Sequence, residues 1–415
     1  MSLPKPFLAL SAATVLATTG TRFSAIAVPW LVLETTGDPV LTGLAGLAEM
    51  LPYVLAKALG GPLIDRLGPR RMAISCDLLS TLAVALVPLL YWAGLLSIWV
   101  LLPALALIGV LRAPADASKQ AMVPAVAALG HMPLERVTGV VGAADRLAGT
   151  LGAASAGALI GLLGSGAALL ANALAFLLSA LVLAVGVPRT DAAVVAGDAA
   201  AEPTMPVGYL AQFAAGWQVL RSDAVLMGLV IMIAVTNLFD QAYSMVLLPV
   251  WVRAAGLDVT WVGLFLATFS ASAILGSVLA AIYGARLPRL LLYTLGFLCA
   301  GPLAFGSFAL NLPLSAIIAI LLLGGLAAGF LNPIISAILL ERTPTPMVGR
   351  VIALTGALTW SLIPFGGLYA GLLVNNVGIL PALGVTAMLY LCTTLLPLAV
   401  PSFRQMGQAR AGAPS

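Results

Sequence analysis

Inside the apolar runs of the first half of this 415-residue chain stand four cations, Arg22, Lys57, Arg112 and Arg146, and four acids, Glu49, Asp77, Asp116 and Asp145. A charge among apolar neighbours is costly, so each marks either a route for ions and substrate or half of an internal ion pair. Four against four favours pairing. Arg112 and Asp116 are four residues apart and can face each other on one helix. Asp145 and Arg146 are adjacent, point ~100° apart and cannot both face one neighbour; one can look into a cavity while the other serves packing.

Asp240 is different. No other charge falls within an apolar run of the second half, and a carboxylate held away from water without a cation is a candidate to carry a proton at neutral pH. The alternative is a position near an outer mouth, solvated or paired with Arg22 or Arg253. Asn237 and Asn332 are candidates for substrate contact, with capping of a broken helix as the alternative. Trp30, Phe239, Tyr243 and Trp360 could wall a cavity, or else face lipid and other helices.

Other chemistries find little support. Cys76, Cys299 and Cys392 are far apart within apolar runs and His131 is the one histidine, which argues against disulfides and Cys/His metal sites. The chain has no phosphate-binding Gly-x-x-x-x-Gly-Lys-[Ser/Thr] loop, His-Glu-x-x-His pair or Gly-x-Ser-x-Gly elbow, so neither an enzyme nor a bound cofactor is expected. A net charge of +4, spread thinly over short loops, is not a nucleic-acid footprint.

What must position these side chains is a set of membrane-spanning helices. The chain is 61% hydrophobic with mean hydropathy +1.11, more apolar surface than a soluble protein of this length can bury. At ~20 apolar residues per crossing, the sequence predicts twelve spans: Phe7 to Leu33, Leu41 to Ile64, Met72 to Trp92, Ile98 to Ser118, Val137 to Leu163, Ala167 to Val187, Ala224 to Val250, Trp261 to Tyr283, Leu290 to Ala309, Leu314 to Leu340, Val351 to Val374 and Leu380 to Val400. Met1 to Leu33 reads as a retained first span, too long for a signal peptide. With the N-terminus inside, fourteen of the nineteen Lys and Arg residues fall on cytoplasmic segments and only Arg253 falls outside. Both termini are therefore expected in the cytoplasm, in a plasma or inner membrane.

The expected organisation is all-α: a six-helix bundle over 1–187, a cytoplasmic linker over 188–222, a second six-helix bundle over 223–401 and a tail over 402–415. Pro188 to Val207 breaks the apolar pattern, and the segment from Gly208 sets Tyr209, Phe213, Trp217 and Leu220 at helical spacing, as in a short surface helix or an extension of the seventh span. Traces of duplication relate the halves: GARLPR at Gly284 to Arg289 takes the place of GGPLIDRLGPRR at Gly60 to Arg71, and Pro114 and Pro333 precede polar loops with Pro124 and Pro344. Two pseudo-symmetric bundles with binding between them are a transporter architecture. The spans can pack within one chain, so a monomer suffices.

The stretch Gly60 to Arg71 carries the most specific signal. Read from Gly61, it has the form Gly-x-Leu-x-Asp-Arg-x-Gly-x-Arg-Arg between two apolar runs. It resembles the signature between helices 2 and 3 of major facilitator superfamily transporters. Further stretches, FSAIAVPWLVLETTG from Phe23, PADASKQAMVP from Pro114, AGWQVLRSDAVL from Ala215 and ERTPTPMVGRV from Glu341, resemble the drug:proton antiporter subgroup that contains macrolide efflux pumps and siderophore exporters. The resemblance implies that Gly61, Asp65, Arg66, Gly68, Arg70 and Arg71 form a cytoplasmic gate. It also implies that Asp65 meets the positive N-terminus of the eleventh span near Gly349 and Arg350. Lys57, Asp77, Arg112 and Asp116 lie within roughly ten Å of the same surface and would back that gate.

Two departures bear on coupling. Gly152 is followed by Ala153 where antiporters of this superfamily often have Gly-Pro, although Gly149, Gly157 and Gly161 still allow close helix packing. Thr21 follows Gly20 where the subgroup often has an acid, which leaves Glu49, Asp145 or Asp240 to carry the proton. The expectation is a secondary active transporter that exports an amphipathic small organic molecule, cationic or zwitterionic, by alternating access in exchange for protons. The alternative is proton-coupled uptake, or movement of a lysophospholipid or other lipid-like substrate.

Overall fold

The computed structural model describes residues 4–188, 209–283, 288–344, 347–399 and 403. Among them the chain is helical, without strands. The helices are α1 (Lys5–Thr36), α2 (Pro39–Leu59), α3 (Gly61–Leu67), α4 (Pro69–Trp92), α5 (Ile98–Ala121), α6 (Val123–Leu129), α7 (Leu134–Gly186) and α8 (Tyr209–Ser222). There follow α9 (Ala224–Ala242), α10 (Leu248–Ala254), α11 (Thr260–Tyr283), α12 (Arg289–Leu298), α13 (Ala304–Ala309), α14 (Leu314–Ala328), α15 (Leu331–Arg342), α16 (Val348–Trp360), α17 (Ile363–Val377) and α18 (Ile379–Ala399).

Local chemistry sets the ends. Asp38 accepts from the backbone N–H groups of Val40 and Leu41 and starts α2, with Pro39 at the first helical position. Asp223 does the same for α9 through Val225 and Leu226. Two π-helical turns interrupt the second half, at Tyr243–Leu247 between α9 and α10 and at Cys299–Leu303 between α12 and α13. Such turns widen a helix by one residue and re-aim the side chains around them.

Among the described residues, eleven stretches are long and apolar enough to cross a membrane. One of them, Arg136–Gly186, has 51 residues; at 1.5 Å per residue it is about 77 Å long, against a hydrocarbon core of ~30 Å. It breaks at Gly164, whose φ of 84° is left-handed, so the stretch is two helices joined at a kink, over the residues of the expected fifth and sixth spans. The polar stretch after α2, expected as a loop, folds into the short α3: Pro62 is preset for a first turn, and Gly68 at φ 80° ends it.

The chain forms two compact units, Met1–Glu202 with Leu248–Ala267, and Pro203–Leu247 with Thr268–Ser415. In the first, Phe7, Leu10 and Ala13 of α1 pack with Ala73, Met122, Val126, Val137 and Leu183. In the second, Tyr293, Phe305, Phe308 and Tyr390 are almost wholly buried. Large apolar side chains such as Leu82, Leu89, Trp99, Leu162 and Val185 are exposed, as on a surface that faces lipid. Most of the expected linker (189–208), the loop 284–287 and all of the tail except Phe403 lie outside the described residues.

Candidate functional site

In the first unit the close approach of α2 and α5 builds the first charged group. A Cβ at Gly109 would run into the backbone carbonyl of Glu49, so only glycine lets the two helices cross this tightly. At the crossing Arg112 Nη1 is 2.5 Å from Glu49 Oε1, with both residues buried. The guanidinium lies 4.4 Å from the Tyr53 ring centroid, the Tyr53 hydroxyl donates to Asp116 Oδ2 at 3.3 Å, and Lys57 Nζ lies 5.7 Å from the same ring. Arg112 thus takes its ionic partner across helices, and Asp116 is reached through Tyr53. Glu49, Tyr53 and Lys57 follow one another at intervals of four residues and so share a single helical face.

A second pair sits where α4, α5 and α7 meet. Lys119 Nζ is 2.9 Å from Asp77, and the Ser179 hydroxyl donates to Asp77 Oδ2 at 2.6 Å. Lys119, expected on a cytoplasmic segment, is buried because α5 continues to Ala121. Buried pairs satisfied in this way hold helices in register more than they add stability.

Between α1 and α7, Thr18 donates to Asp145 Oδ1 at 2.5 Å. The exposed Arg22 side chain runs along Gly149 and Gly152, where added Cβ atoms would touch it. Asn172 donates to Ser24 in the buried seam beside Gly20. Arg146 is exposed and Trp30 half-buried.

The residues of the Gly60–Arg71 stretch part company. Gly61, Asp65, Arg66 and Arg71 are exposed. Arg70 donates from Nε to the Val187 carbonyl and from Nη2 to the Ala184 carbonyl, both at 2.6 Å, and so caps the C-terminal end of α7.

In the second unit Asp240 stands one turn after Thr236 on α9, just before the π-helical turn. Tyr390 on α18 is buried, whereas Asp240 is exposed. Phe239, the preceding residue, lies 5.8 Å from the rings of both Tyr369 and Tyr390. Tyr243 is buried and stacks on Phe305 at 4.7 Å, so it serves as packing within the unit. Asn237 donates to the Thr359 carbonyl at 2.9 Å, next to the break between α16 and α17. Asn332 and Trp360 are exposed. At the other end of α9, Asp223 pairs with Arg342 at 2.9 Å, both buried, a pair not anticipated because both residues fall at the margins of apolar runs. Arg289 and Glu341 form a two-pronged pair at 2.5 and 2.9 Å on the surface.

These features define a class, a multi-pass helical membrane protein with ion pairs and a hydrogen-bonded carboxylate inside its spans. The family model of the Major Facilitator Superfamily matches residues 10–368, and the chain belongs to that family of transporters. Among its relatives is the multidrug efflux pump Tap of Mycobacterium tuberculosis, 28% identical over 401 residues that cover 96% of this chain and 94% of the relative. The multidrug efflux pump Tap of Mycolicibacterium fortuitum is 26% identical over 408 residues, with 97% and 98% coverage. The nucleoside transporter NupG shares the fold with a TM-score of 0.74 at 14% identity, covering 97% of this chain and 99% of that one. A bacterial homologue of the human lysosomal transporter Spinster does so with 0.73 at 13% identity, over the whole of both chains.

Proposed function

We propose that this protein exports amphipathic small organic molecules by alternating access, driven by protons entering the cell, with Asp240 as the group that binds the proton. The full-length relationship to the Tap efflux pumps supports export. The observation that carries the coupling is the environment of Asp240: an exposed carboxylate within an apolar helix, next to the buried aromatic Phe239. Among the described residues no ion pair includes Asp240, whereas Glu49 is paired with Arg112, and a carboxylate without a cation is the one suited to take up and release a proton. In this reading Glu49 and Asp145 are structural, each engaged within the first unit. Asp65, Arg66, Arg70 and Arg71 gate the cytoplasmic side, backed by Asp77, Arg112 and Asp116. The working protein is a monomer in the cell membrane with both termini in the cytoplasm.

The test is uptake into inverted membrane vesicles with an acid interior. A panel of ethidium, a macrolide and a siderophore is offered with and without the gradient. Gradient-dependent accumulation above vesicles that lack the protein is expected for at least one compound. Accumulation only in right-side-out vesicles would reverse the proposed direction.

A further inference from the structure

The acids inside the spans of the first unit have partners: Glu49 with Arg112, Asp77 with Lys119, Asp116 with the Tyr53 hydroxyl and Asp145 with the Thr18 hydroxyl. Among the described residues no ion pair or hydrogen bond includes Arg22. It stands near the middle of α1, about 26 Å from the start of the helix, and its side chain is exposed. A guanidinium at that depth faces water or protein rather than hydrocarbon. The surface that exposes it is therefore the wall of a water-filled cavity.

The place of this side chain is built by α7. A Cβ added at Gly152 would lie 3.1 Å from Arg22 Cβ, 3.2 Å from its Cγ and 3.2 Å from Thr19 Cα, so the stem runs in a slot that glycine leaves open. A Cβ added at Gly149 would lie 3.4 Å from Nε and Nη2, so the head group follows the same face of α7. One turn back on both helices, Thr18 donates to Asp145 and fixes that carboxylate on the seam. On the opposite side of α1, Gly20 abuts Asn172 and Ala175, and Asn172 donates to Ser24. These contacts set the rotation of α1 and with it the direction of Arg22.

A planar guanidinium held along its stem, with its N–H donors open to water, is suited to receive a carboxylate. We propose that Arg22 is a specificity-determining residue that takes the anionic group of the transported molecule, so that the protein favours amphiphiles carrying a carboxylate over the same molecules with that group neutralised. The proposal rests on the reading that this chain moves amphipathic organic molecules.

The test uses the full chain in phosphatidylcholine nanodiscs and a matched pair of dyes, tetramethylrhodamine, which carries a free carboxylate, and its methyl ester, which does not. Binding at neutral pH is read by fluorescence anisotropy, with empty nanodiscs as the blank. The parent is expected to bind the acid more tightly than the ester. Arg22→Gln should weaken the acid by about tenfold or more, the equivalent of one charge-assisted hydrogen bond, and the ester by less than about twofold. Arg22→Lys keeps the charge without the planar fork and should recover part of the affinity for the acid. Arg146→Gln removes the same charge from another exposed position of the first unit and should leave both dyes as in the parent. Equal losses for the two dyes in Arg22→Gln, or no loss for either, would overturn the proposal while leaving the transport reading in place. A matching loss of the acid in Arg146→Gln would reduce the effect to net charge and overturn it as well. A parent that binds neither dye would instead count against the underlying reading, and the proposal would fall with it. An unfolding midpoint of Arg22→Gln equal to the parent's serves as the folding control.

Discussion

Neutralising Glu49 tests whether the charges of the first unit act as pairs. In Glu49→Gln the shape persists, but Arg112 is left buried without its carboxylate in a site where the two side chains are 7% and 9% exposed. Removing one partner of such a pair costs ~3–5 kcal/mol. The Tyr53 ring at 4.4 Å and Asp116 beyond it remain to hold the guanidinium and place the expected loss at the lower end, about 3 kcal/mol. Arg112→Met strands Glu49 in the same way, with a loss of similar size. The double variant leaves no buried charge at the crossing, so it should be far more stable than the sum of the single losses implies, with a coupling energy of about 2–4 kcal/mol. Equilibrium unfolding of the purified protein in mixed micelles gives all four corners of the cycle. Losses that add to within about 0.5 kcal/mol would refute the pairing, since independent sites behave that way.

Three further outcomes follow from named contacts. Arg70→Ala should lose about 1–2 kcal/mol, because two donors leave the terminal carbonyls of α7, and Arg70→Lys should recover part of it in the same unfolding assay. Gly109→Ala should lose about 1–3 kcal/mol by driving α2 off α5, whereas alanine at Gly356, where an added Cβ meets open space, should be nearly neutral. At the exposed start of α11, the Thr260 hydroxyl and N–H hold the Asp258 carboxyl below its ordinary range. A depressed folded-state value means that this contribution is present above the ordinary carboxylate range and is lost as pH falls through the lowered value. Asp258→Asn should therefore flatten the acid side of the thermal-stability profile slightly, and an unchanged profile would show that these bonds do not form in solution.

What the sequence displayed was the solvent and the sign of the charges. Runs such as Ile98–Ala121 must lie in lipid whatever their neighbours, and four acids against four bases must largely neutralise one another. The partners were hidden because they lie on different helices: Glu49 and Arg112 are 63 residues apart, and Asp77 and Lys119 are 42 apart. Helical spacing favoured Arg112 with Asp116, yet the glycine at 109 brings α2 close enough for Glu49 to win. The Gly60–Arg71 stretch looked like a loop for its glycines and prolines, but Pro62 starts a helix as readily as it ends one. The place of Tyr390 was hidden for a different reason. A phenol in an uncharged span reads as a lipid contact until the ring's place against Gly301 and Phe305 is known.

The most direct measurement is made with purified protein in liposomes, parent against Asp240→Asn, using a compound that the vesicle panel identifies. Two rates are compared, accumulation driven by a pH gradient and exchange of labelled for unlabelled compound at equal pH. The account predicts that Asp240→Asn abolishes the first and retains the second, because the amide keeps the site but cannot take up and release the proton. Gradient-driven accumulation at the parent's rate in Asp240→Asn would contradict it.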